Sequence, residues 1–277
     1  MKQLVAETEV DADGFLFAEG ESFHHMRDVL RTSCGDMICV RLKNGTLQPM
    51  TVCKVDTQAK RITLQIANDS LSNGILFEKP TVAITLFQLI AKPPKMDLIV
   101  RQAAECGVEN IFPVEGEFCQ KGNVESARKK TGDGGRWQKI VTEARQQSGS
   151  PVETRVFDPI AFSQIPEVWK SEMGSQETSL AIVLYERSDG AKTIHDALKN
   201  ADSSSDNFSS TTSLSRIALV VGAEGGISSS EIKLLKQNDF IPVHFATNIL
   251  RCETATLYGI AALQTALQTA CKQAKVS

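Results

Sequence analysis

The chain has 277 residues, of which 42% are hydrophobic and 23% are charged, and its formal net charge is -3. This length predicts two domains, the composition is typical of a folded globular protein, and the small net charge excludes a general electrostatic attraction to nucleic acid. Without an apolar run of about 18 residues no membrane span is expected, and the seven scattered cysteines, with no C-x-x-C pair, favour free thiols over disulfides or a metal site.

Residues 1–75 are predicted to form a small β-rich domain. The segments GDMICVRL, MTVCKV and KRITLQI alternate like strands, and KNGT between the first two is a hairpin signal. SFHHMRDVLRTS precedes them as an amphipathic helix whose apolar face carries Phe23, Met26, Val29 and Leu30. No apolar signal segment opens the chain, so the expected location is cytoplasmic.

Residues 76–277 are predicted to form an α/β domain with a mostly parallel sheet. Apolar strand segments (TVAITLFQLI, NIFPV, SLAIVLYER and RIALVV) alternate with helical patterns such as KMDLIVRQAAECGV and RWQKIVTEARQQSG. This alternation favours crossover connections between parallel strands. The charged stretch GNVESARKKTGDGG is predicted to be a loop, and the Ser/Thr-rich residues 200–215 a disordered insertion.

A glycine-rich loop, GAEGG, follows the strand that ends at Val221 and precedes a helix that Ser228 and Glu231 are predicted to cap. Glycines let a backbone approach a ligand closely, and parallel sheets bind ligands beyond the carboxyl ends of their strands. The spacing fits neither phosphate-binding pattern, and the carboxylate of Glu224 would repel a phosphate. The loop therefore favours a neutral or cationic ligand, and a tight turn without a ligand is the alternative.

A second informative segment is FATNILRCETATLYGIAALQTAL, which passes from an extended stretch into a helix. Arg251 and Glu253 stand at the turn, where a charged side chain can face a ligand. A purely structural ion pair between the two is the alternative. The helix, which begins at Cys252 or Thr254, carries small residues that permit close packing within the chain or against a second subunit.

These segments together resemble those of the SPOUT superfamily of methyltransferases, and more narrowly the RsmE-type 16S ribosomal RNA (uracil-N3) methyltransferases. FHHMRDVLR with a following GD, KPPKMDLIVRQAAECGV, RWQKIVTEARQQSG, VGAEGGISSSE and ILRCETA occur in the order of that family. The resemblance implies an N-terminal PUA-like β-barrel that binds RNA, and a C-terminal SPOUT α/β domain with a trefoil knot.

The same resemblance implies an activity and its partners. The cofactor is expected to be S-adenosyl-L-methionine, and the reaction methylation of N3 of one uridine in 16S ribosomal RNA, either free or in the assembled small subunit. The expected assembly is a homodimer, and neither a metal nor a membrane is expected to take part.

Residue roles follow by resemblance as well. The cofactor is expected to contact Leu184, Tyr185, Glu186, Val221, Gly222, Ala223, Glu224, Gly225, Gly226, Ile249, Leu250, Arg251, Thr254 and Ala255. Arg251 and Glu224 are the expected catalytic residues, and an acid at Glu224 suits a sulfonium cofactor. The expected RNA contacts are His24, Arg27, Arg31, Lys92, Lys95 and Arg136.

Several positions depart from the family pattern. Gln102, Phe118, Ser150 and Asn248 stand where the family usually has a basic residue, and Ala223 replaces a proline. These changes remove charge from the expected RNA contacts more than from the cofactor site. In the cofactor loops, Ile227 also stands for an aromatic residue or a leucine, and Ala246 for a glycine.

Two other functions compete with this one. A SPOUT methyltransferase for a different base or for transfer RNA is disfavoured by the PUA-like N-terminal domain, which many such enzymes lack. An RNA-binding or ribosome-assembly protein without catalysis is disfavoured because Glu224, Arg251, Glu253 and Thr254 are all present.

Overall fold

The computed structural model describes residues 3–43, 46–67, 80–132, 134–173, 178–187, 190–200 and 214–274. The chain forms two compact units, Met1–Lys79 with Thr142–Val152 and Pro80–Val141 with Glu153–Ser277. Outside the described residues lie the predicted domain boundary at 75–76, the hairpin residues Asn44 and Gly45, and most of the predicted insertion at 200–215. None of the described helices is long and apolar enough to cross a membrane.

The first unit is built on a five-stranded mixed sheet. Its strands are β1 (Gln3–Val5), β2 (Phe15–Ala18), β3 (Met37–Arg41), β4 (Leu47–Asp56) and β5 (Arg61–Ile66). They lie in the order β1-β3-β4-β5-β2, with β1 and β3 parallel and the other pairs antiparallel. Because side chains alternate along a strand, one face carries the core residues, among them Leu16, Val40 and Leu64.

The helix predicted before β3 is not regular throughout. A short α1 (Gly20–His24) continues into a π-helical turn, His25–Val29. Phe23 and Met26 are fully buried as predicted, but Val29 is 66% exposed, so its assignment to the apolar face is wrong. The cause is the wider turn: the Leu30 N–H donates to the His25 carbonyl, five residues back, at 3.0 Å, which rotates Val29 away from the core.

The second unit contains a seven-stranded parallel sheet. Its strands are β6 (Ala83–Leu89), β7 (Asn110–Glu115), β8 (Arg155–Val156), β9 (Ile160–Ala161), β10 (Ser179–Leu184), β11 (Arg216–Val221) and β12 (Ile241–Val243). They lie in the order β12-β10-β11-β6-β7-β8, and β9 pairs with β7. Every pairing is parallel, so the predicted α/β class is confirmed.

Helices alternate with these strands. They are α2 (Pro93–Glu105), α3 (Lys121–Arg128), α4 (Arg136–Ser148), α5 (Ile165–Met173), α6 (Ile194–Asn200), α7 (Ser229–Gln237) and α8 (Cys252–Ala274). The loop predicted for GNVESARKKTGDGG is wrong in its first part, which forms α3. Val124 and Ala127, three residues apart on one helix face, are both buried and outweigh the polar composition of this stretch.

Candidate functional site

A pocket of about 290 Å³ opens at the carboxyl ends of β10, β11 and β12 in the second unit. These three strands are parallel neighbours in the sheet, so the loops that follow them emerge at one edge. This is the place where open parallel sheets bind ligands. Three segments that are distant in sequence, 184–186, 221–227 and 243–255, supply its walls.

The structure brings twelve of the fourteen residues predicted for cofactor binding to this pocket. They are Leu184, Tyr185, Glu186, Val221, Gly222, Ala223, Glu224, Gly225, Gly226, Ile249, Leu250 and Ala255. Arg251 and Thr254 do not line it, and both are exposed at the start of α8. Arg251 nevertheless lies between Leu250 and Cys252 in the chain, and both of those residues line the pocket.

Seven lining residues were not predicted. They are Ile227, Val243, His244, Phe245, Thr247, Asn248 and Cys252. Most of them follow β12, a strand of only three residues, so the sequence held a weak signal for a loop at the sheet edge. His244 also joins two walls, because its Nδ1 lies 3.2 Å from the carbonyl oxygen of Tyr185.

The glycine-rich loop is a tight turn that favours glycine at two positions. A Cβ at Gly222 would lie 3.1 Å from the backbone carbon of Gly226, and Gly226 itself has a φ of +73°. The turn is closed by a hydrogen bond from the Gly226 N–H to the Ala223 carbonyl at 3.0 Å. After it, Ser228 and Glu231 form the predicted capping box of α7, which holds the end of the loop.

Gln88, at the end of β6, joins the glycine-rich loop to α8 and was missed from the sequence. It is fully buried, and its Nε2 lies 3.4 Å from the Val221 carbonyl and 3.3 Å from the Gly222 carbonyl. Its Oε1 accepts a 2.6 Å hydrogen bond from the hydroxyl of Thr256. The only sequence signal was a glutamine inside an apolar strand, where a buried amide must find partners.

A charged cluster lies beside the pocket, formed by Lys95, Glu224, Glu253 and Cys252. The Nζ of Lys95 lies 3.4 Å from Oε1 of Glu224 and 3.1 Å from Oε2 of Glu253. A structural ion pair between Arg251 and Glu253 was the alternative to a ligand-facing role, and the structure instead pairs Glu253 with Lys95. The cluster carries one positive and two negative charges, which leaves a negative surplus next to the pocket.

Protonation within this cluster follows from its contacts. Burial, and then the hydrogen bond to Glu253, raise the pKa of the Cys252 thiol to about 12, so this thiol stays protonated at neutral pH. Burial alone would raise the pKa of Glu253, but hydrogen bonds from its own N–H, Cys252 and Lys95 hold it below its usual value. Burial would lower the pKa of Lys95, yet its bond to Glu253 and the charge of Glu224 raise it. Lys95 and Glu253 are therefore both charged.

A second cluster in the same unit is centred on Asp97. Its Oδ1 accepts hydrogen bonds from Lys130 Nζ and Trp137 Nε1, each at 2.8 Å, and its Oδ2 accepts one from Arg136 Nε at 3.0 Å. Burial would raise the pKa of Asp97, but these three donors hold it below its ordinary value. Arg136, a predicted RNA contact, thus has a structural partner, while most of its side chain remains exposed.

Of the other predicted RNA contacts, Lys95 is partly buried, and the remaining four are exposed. In the first unit, His24 Nδ1 lies 3.3 Å from Asp28, Arg27 lies 3.6 Å from the same carboxylate, and Arg31 adopts a positive φ of 50°. In the second unit, the backbone N–H of Lys92 donates to Glu224 at 3.3 Å. The roles of these residues on RNA stay predictions.

Comparison with known proteins gives one consistent family. Residues 78–264 match the RNA methyltransferase domain. The ribosomal RNA small subunit methyltransferase E 2 of Borreliella burgdorferi is 26% identical over 270 residues, which cover 97% of this chain and 98% of that protein. The ribosomal RNA small subunit methyltransferase E of Aquifex aeolicus is 32% identical over 209 residues, or 74% of this chain and 77% of that protein.

The fold agrees with these relatives. A crystal structure of ribosomal RNA small subunit methyltransferase E from Neisseria gonorrhoeae, bound to S-adenosyl methionine, superposes with a TM-score of 0.73 at 22% identity, over 96% of this chain and 97% of that one. The family match covers the whole pocket, and the sequence relationship extends through both units. The resemblance drawn from the five motifs is therefore confirmed: this chain belongs to the RNA methyltransferase domain family and, within it, to the ribosomal RNA small subunit methyltransferase E proteins.

Proposed function

We propose that this protein methylates N3 of one uridine in 16S ribosomal RNA, with S-adenosylmethionine as the methyl donor. The observation that carries the proposal is the meeting of the glycine-rich loop and the ILRCETA segment in one pocket at the ends of three parallel strands. The names of the relatives and the cofactor in the Neisseria gonorrhoeae structure support it. A cytoplasmic location goes with a ribosomal substrate.

The pocket fits such a cofactor in shape and charge. Gly222 and Gly226 allow the tight turn that forms one wall of the pocket, and the segments 184–186 and 249–250 offer backbone groups for an adenosine. Among the described residues that line it, none is Lys or Arg, while Glu186 and Glu224 contribute carboxylates. That charge pattern suits a cationic, phosphate-free ligand.

When bound, S-adenosylmethionine supplies a methyl group on a sulfonium sulfur; the carbon–sulfur bond breaks as the carbon bonds to N3, and the N3 proton leaves to solvent. As N3 loses its proton, negative charge spreads over O2 and O4 of the uracil. Arg251, whose guanidinium stays protonated, is the residue that would stabilise this charge. It cannot act as the general base. Cys252 is no better suited to that role, since its thiol holds its proton at neutral pH.

Replacing Arg251 tests this role. Arg251→Ala is expected to lower turnover at least about a hundredfold, the usual effect of losing one charge-stabilising donor, with cofactor affinity little changed. Arg251→Lys should recover part of the activity, because a point charge cannot reproduce a planar fork of donors. Turnover is measured by methyl incorporation and cofactor affinity by calorimetry. Near-normal turnover in Arg251→Ala, or a loss explained by cofactor affinity alone, would exclude the role.

Docking of the RNA is proposed to involve the first unit, as a PUA-like barrel. His24, Arg27 and Arg31 are exposed cations or potential cations around α1 and the π-helical turn, and Lys92, Lys95 and Arg136 would add contacts on the second unit. Phosphate contacts make binding fall steeply with salt. A variant with Arg27→Ala and Arg31→Ala should therefore show a shallower salt dependence of RNA binding than the wild type.

We also propose a trefoil knot in the second unit and a homodimer. The family resemblance is the ground for the knot, and the last helix lies tightly on β10, since Gly259 leaves no room for a Cβ beside Leu184. Tyr258 and Leu98, on α8 and α2, are apolar and exposed, as a subunit contact requires. Light scattering at micromolar concentration is expected to give twice the chain mass, and the mass of one chain would contradict the dimer.

The function as a whole is tested in cells. Ribosomal RNA from a strain that lacks this protein is digested and its nucleosides are analysed by mass spectrometry. Loss of 3-methyluridine, restored by the wild type but not by Arg251→Ala, is the expected result. Loss of another modified nucleoside would indicate a different base, and an unchanged profile would indicate an RNA-binding protein without catalysis.

A further inference from the structure

A solvent-exposed aromatic side chain, Phe118, lies beside the glycine-rich loop. Phe118 belongs to the loop that follows β7, and it is 51% exposed. Its side chain nevertheless touches the pocket wall: a Cβ added to Gly225 would lie 2.6 Å from Phe118 Cβ and 3.2 Å from its Cγ. Gly225 lines the pocket, so the ring of Phe118 is held at its rim.

The loop that carries Phe118 is anchored on both sides of this residue. The N–H of Glu117 donates to the Glu231 carboxylate at 2.7 Å, and the Ser230 hydroxyl donates to the Glu117 carboxylate at 3.0 Å. The Cys119 N–H donates to the Gly116 carbonyl at 3.0 Å. Glu231 is at the same time the capping residue of α7, so one carboxylate fixes both the glycine-rich loop and the Phe118 loop.

The exposed ring of Phe118 contributes less to stability than a buried ring would. Burial of a large apolar side chain removes its surface from water and so stabilises the folded chain. Phe118 forgoes much of that contribution, whereas Val114 and Val124, close to it in the chain, are buried. An aromatic face held rigidly at the mouth of a site is suited to a flat ligand, because it needs no ordering when that ligand arrives.

We propose that Phe118 is a stacking surface for the uracil that is methylated. The inference rests on the proposed function, which requires the target base to leave its own stack before N3 can meet a methyl group. A base removed in this way commonly stacks on an aromatic side chain of the protein. Phe118 adjoins the glycine-rich loop and exposes an aromatic face on which a flat base can stack.

The test uses the full chain and small ribosomal subunits isolated from a strain that lacks this protein. Phe118→Leu is expected to lower kcat/KM for these subunits about 5- to 150-fold, the range that loss of a base–aromatic stack produces. Phe118→Trp is expected to keep activity within about threefold, since it retains an aromatic face. The affinity for S-adenosylmethionine, measured by calorimetry, should stay the same in both. Met37→Ala, at an exposed apolar residue of β3, is the control and should match the wild type.

A second measurement does not depend on catalysis. The indole introduced by Phe118→Trp should lose fluorescence when oligouridylate is added, whereas the emission of the wild-type tryptophans Trp137 and Trp169, which are both buried, should not change. If wild type fails to methylate the subunits but this quenching occurs, the proposed function fails and the stacking surface stands. Normal activity in Phe118→Leu, equal loss of cofactor affinity, conversion to a monomer, or absence of quenching would each overturn the proposal.

Discussion

Two charged clusters start from the same helix and differ in sign. Lys95 and Asp97 are two residues apart on α2, and their side chains serve different clusters. Lys95 is one cation shared by two carboxylates, Glu224 and Glu253, and its cluster has a negative surplus. Asp97 is one carboxylate shared by two cations, Lys130 and Arg136, and its cluster has a positive surplus.

This difference indicates a structural role for the Asp97 cluster and a functional role for the Lys95 cluster. The side chain of Asp97 is more buried than that of Lys95. Asp97 also accepts a third hydrogen bond, from Trp137, so both of its carboxylate oxygens have donors. The Lys95 cluster borders the pocket: Glu224 belongs to the glycine-rich loop that lines it, and Glu253 to the first turn of α8. A buried ion pair such as that of Asp97 fixes the packing of helices. Charged side chains beside a pocket, such as those of the Lys95 cluster, are positioned to interact with a ligand.

The largest effect should come from breaking the Lys95 cluster. Lys95→Met removes the shared cation, so Glu224 and Glu253 repel each other, and the glycine-rich loop and the start of α8 shift. A shift of about 1 Å at an active site can lower turnover about a hundredfold. Methyl incorporation into unmodified small subunits measures this loss. Thermal stability should change less than in the Asp97 variant, because Lys95 and Glu224 keep 26% and 33% of their side chains exposed and water weakens such ion pairs.

Two variants sharpen that result. Lys95→Arg keeps the charge and should restore part of the turnover, while Lys233→Met, at an exposed lysine of α7, should behave as the wild type. A Lys95→Met protein that keeps full turnover, or one that is strongly destabilised, would mean that the Lys95 cluster is a scaffold like that of Asp97.

The next effect is on stability. Asp97→Asn keeps the shape of the side chain but removes its charge, and it leaves Lys130 partly buried with no charged partner on Asp97. The expected loss is about 2 kcal/mol of unfolding free energy, measured by urea denaturation, with turnover nearly unchanged. Glu105→Gln, at an exposed acid of the same helix, is the matched control and should cost less than about 0.5 kcal/mol.

Acid provides an independent measurement of the same cluster. The folded-state pKa of Asp97 is held below the ordinary value of 3.8, so its contribution is complete above that value and is lost as the pH falls through the folded value. The stability difference between wild type and Asp97→Asn should therefore shrink below about pH 4. A difference that is constant down to about pH 2 would contradict the assignment.

The smallest effect is expected at Gln88, the uncharged side chain that joins the glycine-rich loop to α8. Gln88→Leu preserves volume but leaves the Thr256 hydroxyl and two carbonyls of β11 and its loop without this partner. Cofactor affinity is expected to fall about tenfold and stability by about 1 kcal/mol. Gln102→Leu is a matched control, since Gln102 Oε1 is buried and has no hydrogen-bond partner among the described residues. This second variant should be neutral or stabilising, and equal behaviour of the two would remove the special role of Gln88.

Local order in the chain was largely determined by the sequence itself. The continuous apolar runs of β6, β10 and β11 indicated buried parallel strands, and Ser228 with Glu231 indicated the start of α7, because these signals act between neighbours in the chain. The spacing of the glycines around Glu224 indicated a ligand loop without phosphate chemistry, and the five motifs in order led to the family. Local signals failed where a wider turn or burial at one face overrode them, as at Val29 and in α3.

The tertiary structure decided how these parts meet. The order β12-β10-β11 places three loops side by side that no periodicity relates, and it brings Gln88 from a fourth strand beneath them. It also gave Lys95, predicted as an RNA contact, two carboxylate partners from segments more than a hundred residues away. Periodicity reports which face of an element is buried, whereas a hydrogen bond or an ion pair depends on which elements pack together, and that is a property of the folded chain alone.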